Sequence, residues 1–252
     1  MNHLFIVGAQ RSGSTYLYHI LDEHPEVSMS RPVRPEPKFF LNDQLFEKGR
    51  AYYEDTYFGG QSEKTRYLGE KSTSYIESMA AANRIYQFYP NARILMILRD
   101  PVVRAYSNYR FSVAHQLEEL TFEDALKAEP VRLAEATFST SVNPYSYCKR
   151  GHYIDYIEAY LKIFDRSQLE ILIFEEFVCK PESVQRLYRW LAIDDEFKPV
   201  SLGKIFNPTV QKEQNQSHAL RSLALEYRES LERLENLLGY RIETWRQHWD
   251  EL

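Results

Sequence analysis

The sequence predicts an α/β protein in which a central, mainly parallel sheet is covered by helices on both faces, a three-layer α/β/α arrangement. Leu4 to Val7 and Ile94 to Leu98 are wholly apolar runs, Leu169 to Phe174 is apolar but for Glu170, and segments with helical apolar spacing alternate with them. A strand buried on both faces reads as a continuous apolar run, which crossover helices packed on a parallel sheet require. No internal repeat and no Gly- or Ser-rich linker divides the 252 residues, so 1–252 is expected to be a single domain.

Each element has its own signal. Leu4 to Val7 is a buried strand, Gly8 to Thr15 a tight turn, and Tyr16 to Leu21 a helix. Helices are expected at 43–57 and 78–89, with a short strand at Tyr67-Leu68-Gly69 between them. The run at 94–98 is a second strand, and Pro101 suits the first turn of a helix over 101–116. Further helices are expected at 121–128, 144–164 and 181–192, around a third strand from Leu169 to Phe174. Leu220, Leu223, Tyr227, Leu231, Leu234 and Leu238 recur at three- and four-residue steps, which predicts one amphipathic helix. Val27 to Asn42 and Ala192 to Ser217 lack periodicity and read as irregular loops.

Composition narrows the function. With 31 Lys+Arg against 36 Asp+Glu the net charge is −5, which argues against a broad nucleic-acid-binding face. Cys148 and Cys179 make neither a disulfide framework nor a CxxC metal spacing, and a reducing, cytoplasmic setting is expected. No basic segment precedes the first apolar run and no apolar stretch has the length of a membrane helix, so neither export nor a membrane partner is expected. The 19 Tyr and 14 Phe suit a pocket for a ring-bearing small molecule or a Tyr-rich core.

Two motifs carry chemistry. Gly8-x-x-x-x-Gly13-Ser14-Thr15, between strand and helix, matches a phosphate-binding loop at both glycines and the last hydroxyl, but Ser14 stands where a lysine would reach the outer phosphates of a nucleoside triphosphate. The backbone N–H groups and the hydroxyls of Ser12, Ser14 and Thr15 suit a phosphate, and Arg11 offers a cation. The second motif is Arg99-Asp100-Pro101-x-x-Arg104-Ala105-x-Ser107. Arg99 leaves the end of a buried strand and Ser107 lies two turns into the next helix, a placement suited to a second phosphate.

Arg11-Ser12-Gly13-Ser14-Thr15 resembles the 5′-phosphosulfate loop of sulfotransferases that use 3′-phosphoadenosine 5′-phosphosulfate (PAPS), and Leu98 to Ser107 resembles their 3′-phosphate motif. Gly69-Glu70-Lys71-Ser72-x-Ser74-Tyr75 and Lys149-Arg150-Gly151-x-Tyr153 are similar to segments of the Golgi carbohydrate and bacterial branch, so the resemblance covers most of the chain. It implies a P-loop-like fold, PAPS as donor, adenosine 3′,5′-bisphosphate as product, no metal, and a small-molecule acceptor. It also places Tyr16 with the loop residues, Phe174 at an adenine contact, and Lys71 near the reacting sulfuryl group. The branch's catalytic base is a glutamate in a segment resembling Pro35-Glu36-Pro37-Lys38-Phe39-Phe40, which carries the role onto Glu36. Arg150 and Lys212 would complete the 3′-phosphate site, although Lys204 to Lys212 departs from the branch's glycine-containing basic motif. His115 and His152 are rival bases.

Two other readings stay open. A P-loop small-molecule kinase needs a lysine at Ser14 and an acidic strand end at Arg99; a nucleotide-binding regulator would keep the fold without turnover. The net acidic chain favours a neutral or cationic acceptor, such as an alkaloid or another natural product, or a short carbohydrate.

Overall fold

The computed structural model describes residues 1–135, 143–204 and 217–252. In chain order these hold β1 (Asn2–Gly8), α1 (Ser14–Asp22), β2 (Val27–Met29), α2 (Asp43–Phe46), α3 (Gly49–Tyr57), β3 (Tyr67–Lys71), α4 (Met79–Phe88), β4 (Arg93–Leu98), α5 (Pro101–Ala114) and α6 (Phe122–Glu135). Then follow α7 (Tyr153–Tyr160), β5 (Leu169–Ile173), α8 (Phe174–Phe177), α9 (Pro181–Leu191), α10 (Ser217–Glu226), α11 (Arg228–Leu238) and α12 (Glu243–Asp250). Cα packing groups the chain into two compact units, residues 1–98 with 159–207 and residues 99–158 with 208–252. None of the described helices is long and apolar enough to cross a membrane.

The first unit holds a five-stranded sheet in the order β2-β3-β1-β4-β5, with every described pairing parallel. β1 lies in the middle because its residues from His3 to Gly8 are buried on both faces. One face packs Leu4, Ile6, Leu95 and Ile97 against Leu17 and Leu21 of α1 and Leu187 and Leu191 of α9. The other face is aromatic: Phe5 meets Phe40 edge-on at 5.5 Å, Phe40 meets Tyr53 of α3 at 5.1 Å, and Tyr75 lies 5.8 Å from Phe40. Each fully buried ring of this kind contributes roughly 1.5–3 kcal/mol. After β1 the chain lays β2 and β3 on one side and then β4 and β5 on the other, and parallel sheets bind ligands beyond the carboxyl ends of strands at such a switch.

The second unit is helical. Val102 and Ala105 of α5, Phe122 and Ala125 of α6, Tyr147, and Leu223 and Tyr227 near the C-terminus form its core.

Several expectations are corrected. The segment 43–57 makes two helices, because Gly49 takes φ 82° and interrupts the helical path. Val27–Met29 is an edge strand inside the stretch read as irregular; its backbone pairs with Tyr67–Gly69, a partner remote in sequence. The strand at Tyr67 runs on to Lys71 with Glu70 inside it, since Glu70 finds buried hydroxyl partners. The helix over 121–128 continues through Pro130 to Glu135, held by the buried Phe122, Ala125 and Glu129. Within 144–164 only Tyr153–Tyr160 is α-helix, preceded by a 3₁₀ turn at Lys149–Gly151. The strand expected to reach Phe174 stops at Ile173, and the C-terminal stripe is split at Tyr227 into α10 and α11, with α12 unforeseen. Its period was legible, but the ring of Tyr227, wholly buried, fixes where one helix ends and the next begins.

Candidate active site

In the first unit the loop after β1 is anchored where Ala9 N–H donates to the carbonyl of Ile97 (2.8 Å) on β4. Arg11 (φ 66°) and Gly13 (φ 86°) turn the chain tightly into α1. Gly13 is required twice over, since its φ suits glycine and a Cβ there would stand 2.5 Å from the Phe174 ring. Gly13 is the N-cap of α1; no side chain caps the helix and its first turn holds no acidic residue. Helix N-termini with open N–H groups attract anions. Ser12 Oγ is buried beside them without a hydrogen-bond partner, and Ser14 is 8% exposed. An orphaned hydroxyl, an uncapped helix and a glycine cradle fit the phosphosulfate end of PAPS. Tyr16 differs: its ring packs on Phe177 at 6.0 Å and its hydroxyl accepts from Cys179 N–H (3.2 Å), so its side chain belongs to the core.

β3 supplies the second cluster. In register Lys71 lies beside Ile6 of β1, two residues before Gly8, and Ser72 N–H donates to the Ile6 carbonyl at 3.1 Å. Lys71 Nζ donates to Glu36 Oε1 at 2.6 Å, with side chains 4% and 15% exposed. Thr73 donates its N–H (3.0 Å) and its hydroxyl (3.1 Å) to Glu36 Oε2. The loop carrying Glu36 is itself tied down, because Lys38 N–H donates to Ser72 Oγ at 2.9 Å. Burial lowers the Lys38 ammonium below its ordinary pKa, against the raising influence of Glu36.

Behind this cluster Glu70 is buried completely and accepts from Tyr53 OH (2.6 Å) and Ser72 Oγ (2.5 Å). Burial pushes its carboxyl up to about 7, opposed by the hydrogen bonds of Ser72, Tyr53 and Tyr75. The sequence alone assigns no role to Glu70 or Thr73. Alternation along β3 was the available signal, since Glu70 and Lys71 must point to opposite faces.

In the second unit Arg99 follows the end of β4, and its carbonyl accepts from Tyr153 OH at 2.8 Å. Asp100 caps α5, accepting from Val102 N–H (2.8 Å) and Val103 N–H (3.2 Å), with Pro101 in the first helical turn. His248 and Trp249 at the end of the chain hold the same carboxylate at 2.7 and 3.1 Å. Ser107 is buried in α5. Beside it in sequence, Asn108 accepts from Arg150 Nη1 at 3.1 Å, so Arg150 and Ser107 share one stretch of α5. Lys212 lies outside the described residues.

The two histidines are engaged elsewhere. His115 is exposed at the end of α5, its Nδ1 2.8 Å from the Phe111 carbonyl. His152 Nδ1 lies 2.6 Å from Ser230 Oγ.

The chain is similar to known proteins in sequence and in fold. Mouse bifunctional heparan sulfate N-deacetylase/N-sulfotransferase 1 is 30% identical over 174 residues, which is 67% of this chain and 19% of that protein. The chain thus spans about a fifth of the length of the curated relatives it matches. A sulfotransferase of Alicyclobacillus acidocaldarius superposes with a TM-score of 0.79 at 28% identity, covering 98% of this chain and 99% of that one. A mouse sulfotransferase complexed with PAP shares the fold, with a TM-score of 0.50 at 14% identity over 77% of this chain and 60% of its own. The Sulfotransferase domain family matches residues 1–248, and the chain belongs to that family.

Proposed function

We propose that the protein moves a sulfuryl group from PAPS to a hydroxyl or amine of a small acceptor, a natural product such as an alkaloid or a short carbohydrate, and releases adenosine 3′,5′-bisphosphate. The observation that carries this reading is the Glu36, Lys71 and Thr73 cluster at the end of β3, the strand paired with the loop-bearing β1. A phosphate loop alone serves many nucleotide enzymes. A carboxylate held by a buried lysine, next to a loop that lacks the triphosphate-binding lysine, suits proton abstraction with charge stabilisation.

PAPS supplies an activated sulfuryl group on a phosphate leaving group. Glu36 takes the proton of the acceptor as the new bond to sulfur forms. Thr73 and Lys71 hold that carboxylate in one orientation, and Lys71 stabilises charge on the transferred group. As the bond from sulfur to the bridging oxygen breaks, the electron pair stays on the phosphate, where Arg11 and the N–H groups of Gly13, Ser14, Thr15 and Tyr16 compensate it. Ser12, Ser14 and Thr15 add hydroxyl donors, and Phe174, packed on Gly13, is proposed as the wall for adenine. In the second unit Arg99, Ser107 and Arg150, with Lys212, are proposed for the 3′-phosphate. Both cysteines are free, in keeping with a reducing, cytoplasmic setting.

Calorimetric titration tests this. Adenosine 3′,5′-bisphosphate should bind without added metal, ATP should not, and Arg99→Ala should weaken the bisphosphate about 10–100-fold, the worth of a charge-assisted contact. Preference for ATP with magnesium would overturn the reading in favour of a kinase.

A further inference from the structure

We propose that Cys148, His152 and Glu226 form a site for a divalent transition-metal ion of the zinc class, bracing the turn at Lys149–Gly151 against the end of α10. The three side chains converge from two segments far apart in sequence. Cys148 Sγ lies 3.0 Å from Glu226 Oε1 and 3.8 Å from His152 Nε2, and His152 Nε2 lies 3.9 Å from Glu226 Oε1. A tetrahedral ion with bonds of about 2.0–2.3 Å to S, N and O separates its ligand atoms by about 3.4–3.6 Å, so each pair is within about 0.6 Å of the requirement. Among the described residues no other group of three His, Cys, Asp or Glu side chains meets this condition.

The surroundings prepare the site. His152 Nδ1 is 2.6 Å from Ser230 Oγ on α11, which leaves Nε2 facing the sulfur and the carboxylate. Metal-binding imidazoles are oriented by such a bond on their other nitrogen. The backbone is locked as well. Tyr227 OH donates to the Cys148 carbonyl at 2.8 Å, and Gly151 lies so flat on the Tyr227 ring that a Cβ would stand 2.5 Å from it. Little reorganisation is therefore needed to bring the ligands together. Cys148 and His152 are half-buried and Glu226 is exposed, which gives an ion a way in from solvent.

One thiolate, one imidazole and one carboxylate select zinc or cobalt over magnesium or calcium, and three protein ligands leave a fourth position for water. On binding, the thiol proton that now points at Glu226 leaves to solvent and the sulfur takes the ion instead. The ion plays no part in the proposed transfer.

Metal-stripped protein titrated with zinc against a chromogenic chelator, and separately with cobalt, tests the proposal. One equivalent should bind, cobalt should show a thiolate charge-transfer band, and zinc should raise the melting temperature. Cys148→Ser should abolish the band. Glu226→Gln, at an exposed position that folding tolerates, should weaken zinc at least tenfold, and Ser230→Ala about 10–100-fold by releasing the imidazole. Cys179→Ser should change nothing. A cobalt complex without the thiolate band, or stoichiometric zinc retained in both Cys148→Ser and Glu226→Gln, would overturn it.

Discussion

Glu36 and Glu70 stand on adjoining pieces of chain, yet their surroundings give them opposite duties. Glu36 is partly exposed and accepts from three donors of Lys71 and Thr73. Glu36→Gln keeps the acceptor oxygen for those donors but cannot take a proton. Turnover should fall by about 10²–10⁴, with bisphosphate affinity within about twofold of the parent. Steady-state kinetics beside calorimetry checks this, and a loss below tenfold would remove Glu36 as base. Glu70 is fully buried, and its carboxyl is pushed up to about 7. Between its ordinary value of 4.5 and about 7 the folded protein keeps a proton that the unfolded chain has released. Stability from this group therefore falls as pH rises through that window and is level above it. At about 1.4 kcal/mol for each pH unit this is on the order of 3 kcal/mol. Melting curves of Glu70→Gln should lack that slope, and wild-type and variant curves running parallel would show that Glu70 ionises normally.

Among the elements, α5 depends on one buried carboxylate. Asp100 caps its first turn through two N–H groups and receives His248 and Trp249 from the end of the chain. Asp100→Ala removes a cap worth about 1–2 kcal/mol and strands two side-chain donors, so a loss of at least about 2 kcal/mol is expected. Asp100→Asn, which can still cap, should cost less than half as much. Urea unfolding of both variants measures it, and equal losses would show that the cap is not what the carboxylate provides. The same carboxylate fixes the backbone that begins at Arg99, which explains why an aspartate and a proline follow the arginine. At α1 the logic is reversed: a helix start with no side-chain cap keeps its N–H groups available to an anion.

On the scale of the whole molecule, the sheet order puts β1 between β3 and β4, so the loop after β1 and the Lys71 end of β3 are adjacent through backbone pairing alone. Net charge acts over the same range. A chain of net charge −5 repels polyanions, so neutral or cationic small acceptors should turn over faster than a sulfated oligosaccharide, and raising salt should narrow the gap. Competition assays with PAPS and acceptors of each charge check this, and a preference for the polyanion at low salt would contradict it.

Local patterns of burial, turn chemistry and helix starts sufficed for the parallel α/β class, for the strand, loop and helix from Leu4 to Leu21, and for the two candidate phosphate motifs. Glu36 and Lys71 were reached through resemblance rather than spacing, since they lie 35 positions apart. Tertiary packing was needed to bring Thr73 to that cluster, to turn Tyr16 into the core, to pair β2 at the sheet edge, and to bring Glu226 to Cys148 across 78 positions. These are pairings between distant segments, fixed by strand register and by what each buried group must find as a partner, and no periodicity along the chain encodes them.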